Sequence, residues 1–82
     1  MKKEINYTLH AGKKIAERGI NKSLIESAIL SPDTVLKDKF DSVLIHAIKK
    51  ADNKYIRVIY REINDYKVLV ISAFFDRRLK RG

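Results

Sequence analysis

Residues 55–75, YIRVIYREINDYKVLVISAFF, carry the most regular alternation in the chain. In an extended backbone successive side chains point to opposite faces. Ile56, Val58 and Tyr60 then share one face, while Tyr55, Arg57, Ile59 and Arg61 share the other. The NDY segment that follows has turn chemistry, since Asn and Asp tolerate positive φ. A second strand over residues 67–75 sets Val68, Val70, Ser72 and Phe74 on one side and Leu69, Ile71, Ala73 and Phe75 on the other. The stretch therefore reads as an antiparallel hairpin.

Working outward, ADNK is a second turn, and residues 42–50 before it are apolar on both faces at their centre. They place His46 beside Leu44 and Ile48. Residues 34–39 form a short polar strand suited to a sheet edge. Upstream of Pro32, the only proline, the spacing is helical. A first helix is expected from residue 7 or 8 to residue 18. Gly12, Ile15, Ala16 and Gly19 form a thin seam on it, while His10, Lys14, Glu17 and Arg18 line another side. Gly19 suits the left-handed residue that stops a helix. Gly12 within it costs roughly 1 kcal/mol against Ala, which close approach to another backbone would offset. Asn21 is a strong N-cap for a second helix, with Ile20 stapled onto Ile25. Leu24, Ile25, Ala28 and Ile29 make its apolar stripe, and Ser31-Pro32 ends it. The expected fold is α+β: two N-terminal helices packed on a four-stranded antiparallel β-meander, in the order ααββββ. Residues 1–82 form a single domain, closing in a short basic tail over residues 76–82.

Eighty-two residues suffice for one modest core, and the hydrophobic fraction of 45% is that of a globular protein. With no cysteine there are no disulfides, thiolate metal sites or cysteine nucleophiles. No apolar run approaches a membrane span, and MKKEIN leads into no hydrophobic signal core, so the chain is read as cytoplasmic, without membrane contact. Lys and Arg number 18 against 10 Asp and Glu, a net charge of +8. On so small a domain this points to a polyanion, most simply nucleic acid. A lysine-rich surface kept for solubility, or a basic toxin neutralised by an acidic partner, has the same composition.

No phosphate loop, nucleophile elbow or metal-ligand spacing is present, and no metal or other cofactor is expected. The remaining set is His, Arg, Lys and Tyr, which is enough to cleave RNA without metal. The 2′-hydroxyl attacks its own phosphate, so the protein need only move protons and stabilise charge. A histidine, or a tyrosine or lysine of lowered pKa, serves as acid or base, and arginines clamp the phosphate. The plainer alternative packs His10 at a helix start, pairs Arg18 with Glu17 or Asp33, and puts Tyr60 in the core.

The segments YTLHAGKKIAERGINKSLIESAILSPDTV and YIRVIYREINDYKVLVISAFF resemble a family of small uncharacterised domains. Its pattern is a His, seven residues, Arg-Gly-Ile, a short helix, a proline-bounded loop and two Val-rich strands. That family resembles the BrnT-type toxins and, more distantly, the RelE-like ribonuclease fold. The resemblance implies a metal-independent endoribonuclease encoded beside an antitoxin, and carries over His10, Arg18, Arg57 and Ser72 as catalytic. Phe74 stands where the BrnT group has an arginine after its Ser-Ala pair, which departs from that pattern.

On this reading His10 is the acid or base, and Arg18 and Arg57 hold the scissile phosphate. Lys13, Lys14, Lys49, Lys50, Arg61, Arg77, Arg78 and Lys80 bind the nucleic-acid backbone. If the helices cover the Ile56/Val58/Tyr60 face, Arg57 lies beyond the sheet and meets His10 only at an edge. Expected partners are RNA, a cognate antitoxin, and a second copy docked on the sheet face away from the helices through Ile59, Leu69, Ile71 and Phe75. A non-catalytic nucleic-acid-binding or protein-interaction domain is the alternative.

Overall fold

The computed structural model describes residues 3–78. Its elements are β1 (Glu4–Tyr7), α1 (Leu9–Glu17), α2 (Lys22–Leu30), β2 (Thr34–Lys37), β3 (Leu44–Ala51), β4 (Lys54–Asn64) and β5 (Lys67–Phe75). The sheet has five strands in the order β1-β5-β4-β3-β2. β2 to β5 form the expected antiparallel meander. The four-stranded, wholly antiparallel expectation is overturned by β1, which pairs parallel with β5, Ile5 opposite Val68 and Tyr7 opposite Val70. The physical reason is the short alternation EINY, whose Ile5 and Tyr7 pack against the core while Glu4 is exposed. The two helices carry the chain from β1 across the sheet to β2 at the far edge, and the meander from β2 to β5 returns it to lie alongside β1.

The helices lie on one face, α1 over β5 and β1, α2 over β4 and β3. Thr8 caps α1 by accepting from the Ala11 amide at 3.0 Å, and Asn21 caps α2 by accepting from the Ser23 amide at 2.7 Å. Gly19 stops α1 at φ +64°. Ile20 and Ile25 are both buried in the core, as the staple requires. Ile56, Val58, Val68, Val70 and Ala73 face the helices fully buried, with Tyr60 nearly so. Two details of the expected seam differ. Ala16 is exposed, and a Cβ on Gly12 would meet nothing within 4 Å, so no backbone approaches there.

The phase of β5 also changes partway along. Ile59 pairs with Ser72 but Tyr60 pairs with Val70, so Ile71 is an extra residue, a β-bulge. Before the bulge Val68 and Val70 face the helices; after it Ala73 and Phe75 do. Phe75 therefore packs against the core instead of joining the outer face, and Ser72 and Phe74 share the outer face with Ile59 and Arg57. Among the described residues no helix is long and apolar enough to cross a membrane.

Candidate functional site

The helix-free face of β2, β3 and β4 carries a chain of polar side chains at its centre. The turn at Asp52, φ 58°, pairs Ala51 with Lys54, and that register sets His46 opposite Ile59. Arg57, two residues from Ile59 on the same face, becomes the diagonal neighbour of His46, within reach of a long side chain. Its Nη1 donates to His46 Nδ1 at 2.7 Å. Its Nε donates to Asp76 Oδ2 at 2.8 Å. On the other side of the ring, His46 Nε2 lies 2.7 Å from Asp38 Oδ1. A guanidinium only donates, so Nδ1 must accept; the geometry fits an imidazole with its one proton on Nε2, given to Asp38.

Asp76 follows directly on β5, its amide donating to the Tyr55 carbonyl. Its side chain is only 2% exposed and holds Arg57 and Arg78 together. The tail expected over residues 76–82 is thus anchored in the sheet at its first residue. Burial pushes the Asp76 carboxyl upward, but hydrogen bonds from Arg78 and Arg57 outweigh it and hold the group below the ordinary aspartate range. Asp38 is held low as well, by the His46 hydrogen bond first and then the amides of Phe40 and Asp41. Burial raises the phenols of Tyr60 and Tyr7, the opposite of what a ready tyrosine base needs.

Asp38, His46, Arg57, Asp76 and Arg78 line an open cleft of about 490 Å³ with Leu36, Lys37, Lys39 and Phe40. Four cationic side chains (Lys37, Lys39, Arg57, Arg78) face two carboxylates (Asp38, Asp76), and each carboxylate already holds a partner. The cleft therefore suits an anion. Among the described residues no three His, Asp or Glu side chains converge as a metal's ligands would.

His10, Arg18, Arg57 and Ser72 do not form one site. His10 is exposed on α1, on the helix side of the sheet. β1 stops at Tyr7, level with Val70, which leaves the rest of β5 a free edge. Arg18 Nη1 donates there to the Ala73 carbonyl at 2.8 Å. Arg18-Gly19-Ile20 thus ties a strand edge, turns the chain and fills the core. Only Arg57 of the four lines the cleft, and Ser72 lies on the same face one strand away. Of the backbone-binding candidates, Arg78 lines the cleft and Arg61 is exposed on its face, opposite Leu44. Lys13, Lys50 and Arg77 are exposed, Lys14 pairs with Glu17, and Lys49 donates to the Ser31 carbonyl. Lys80 lies outside the described residues.

Asp38, His46 and Asp76 were missed as site residues, although one signal pointed to two members of the chain. The ADNK turn fixes the register, and through it the His46–Arg57 diagonal. Nothing local marks Asp76, which reads as the start of a charged tail.

The family model described as "Domain of unknown function (DUF4258)" matches residues 7–75. No curated protein and no solved structure matches the chain. The matched span takes in both helices, the Arg18-Gly19-Ile20 corner, His46 and Arg57, and ends one residue before Asp76. With the match extending over most of its length, the chain belongs to the family of domains of unknown function designated DUF4258.

Proposed function

We propose that this protein is a toxin-like, metal-independent endoribonuclease working at the open-face cleft, with His46 as its proton-transfer group. The observation that carries this is the Asp38–His46–Arg57–Asp76 chain, an oriented imidazole beside a pinned guanidinium in a cationic cleft. An RNA phosphate entering the cleft draws Arg57 Nη1 onto its oxygen, while Nε stays on Asp76. His46 Nδ1, released, accepts the 2′-hydroxyl proton, and Asp38 stabilises the imidazolium. The 2′-oxygen bonds to phosphorus and the bond to the 5′-oxygen breaks. A 2′,3′-cyclic phosphate and a 5′-hydroxyl result, the latter protonated by a rim lysine or water. The net charge of +8 favours the polyanionic substrate. A toxin role, a cognate antitoxin and a cytoplasmic location belong to the same proposal and rest on the resemblance to BrnT-type toxins.

One observation favours non-catalytic binding instead: both ring nitrogens of His46 are already hydrogen-bonded. Incubation of end-labelled single-stranded RNA with purified protein in chelator separates the two. Wild type should give cyclic-phosphate ends, and His46→Ala should lose roughly 10²–10⁴-fold in rate. Salt-dependent binding without cleavage supports the second reading. Cleavage that survives His46→Ala but not His10→Ala would place the chemistry on α1 and overturn the assignment.

A further inference from the structure

Phe40 is 96% exposed, the most exposed large apolar side chain described, and it stands at the mouth of the cleft between Lys39 and Asp41. Leaving a phenylalanine in water forgoes the free energy of burying its ring. The loop that carries it is held by hydrogen bonds. Asp38 Oδ2 accepts from the amides of Phe40 and Asp41, both at 3.0 Å. Asp41 Oδ1 accepts from Val43, and the backbones of Asp38, Asp41 and Leu44 close the loop. The other oxygen of Asp38 holds His46. One carboxylate thus fixes both the ring at the rim and the imidazole at the centre.

We propose that Phe40 is a base-stacking platform, which makes the cleft selective for unpaired RNA nucleotides. This rests on the reading that the cleft takes RNA, and adds which RNA and through which residue. An exposed aromatic beside lysines and a pinned arginine is the combination that holds single strands: a base lies on the ring while its phosphate reaches the cations. A base inside a duplex has both faces covered and offers nothing to Phe40. The volume of about 490 Å³ falls in the range of small-ligand sites and is open enough for a strand to continue past it.

Fluorescence anisotropy tests this with a short unstructured RNA, 2′-O-methylated so that it cannot be cleaved, the same strand with single abasic positions, and its duplex. Wild type should prefer the intact single strand over the duplex, and one abasic position should weaken it about tenfold. Phe40→Ala should lose a similar factor on the intact strand and be indifferent to that abasic position, while Phe40→Tyr should keep the wild-type pattern. If Phe40→Ala binds the intact strand as wild type does, or binds intact and abasic strands with the same proportional loss, the platform is wrong and the cleft reading stands. Equal affinity of wild type for strand and duplex also overturns the platform. If wild type binds no RNA, the cleft reading falls and the platform with it. Melting temperatures of the variants should match wild type, because a side chain this exposed contributes little to the fold.

Discussion

The two faces of the sheet solve opposite problems with residues that alternate along the same strands. On β4, Ile56 and Val58 are fully buried against the helices, while Arg57 between them reaches His46 and Asp76 on the open side. The covered face gains stability from apolar area removed from water, which is non-directional and tolerant of detail. The open face holds an arginine and an aspartate out of water, where attraction between the charges is offset by lost hydration. Such an arrangement adds little to stability, so its placement is better explained by what it presents to a ligand. The layer that folds the protein and the layer that would act on a substrate can therefore be altered separately.

The largest effect on stability should come from the covered face. Ile56→Ala removes a fully buried side chain between the sheet and α2 and should cost about 3 kcal/mol, read as a lower urea midpoint. Under conditions where that variant remains folded, its RNA affinity should stay within about twofold of wild type, since sites without shared partners act independently. A tenfold loss of affinity in the folded variant would show that the two faces are coupled.

Next in size is the ion-pair chain. Asp76→Ala strands Arg57 in a half-buried position and should cost about 2 kcal/mol. Removing both charges, as Arg57→Met with Asp76→Ala, should recover roughly half of that or more, because an apolar pair of similar volume avoids the desolvation. RNA binding should be lost in Asp76→Ala and should stay lost in the double variant, which has no guanidinium at position 57. The same carboxylate sets an acid limb. The folded-state pKa of Asp76 is depressed, so its contribution is present above the unfolded value, about 3.9, and disappears as pH falls through the folded value. Asp76→Asn should be less stable at neutral pH and lose less on acidification below about pH 4. An acid limb identical to that of wild type would assign the low-pH loss to Asp38 or to other carboxylates.

The covered face was the more legible in the sequence, and for a physical reason. Burial repeats along a strand, so Ile56, Val58 and Tyr60 announce their face by period alone. Gly19 and Asn21 announce the helix boundaries by conformations that few residues supply. β1 escaped notice because four residues show too few alternations, and its partner in β5 lies 63 residues on, Glu4 opposite Lys67. The bulge at Ile71 carries no glycine or other local mark, yet it moves Phe75 from the outer face to the core and reverses the outer-face assignment of everything after it. The cleft depends on register between strands and on the buried Asp76, neither of which periodicity reports. His10 and Arg18 illustrate the converse, since helical phase grouped them but could not show that Arg18, the C-cap of α1, would turn to the β5 edge while His10 stays exposed.

The smallest effect tests how closely the covering layer is packed. Gly12 was expected to permit a close approach of α1 to another backbone, but a Cβ there meets nothing within 4 Å. Its neighbours Ala11 and Ile15 carry the contact with the core instead. Gly12 lies inside α1 and is absent from the positive-φ positions, so alanine adopts its backbone without strain. The substitution removes conformational freedom from the unfolded chain at no cost in packing. Gly12→Ala should therefore raise stability by up to about 1 kcal/mol, seen as a higher urea midpoint at unchanged slope. Gly19→Ala, in contrast, places a Cβ at φ +64° and should lower stability by about the same amount. If Gly12→Ala lowers stability as well, α1 sits closer to its neighbours in solution than this geometry allows. The small-residue seam would then be a real packing contact, and the covered face less forgiving than its apolar character implies.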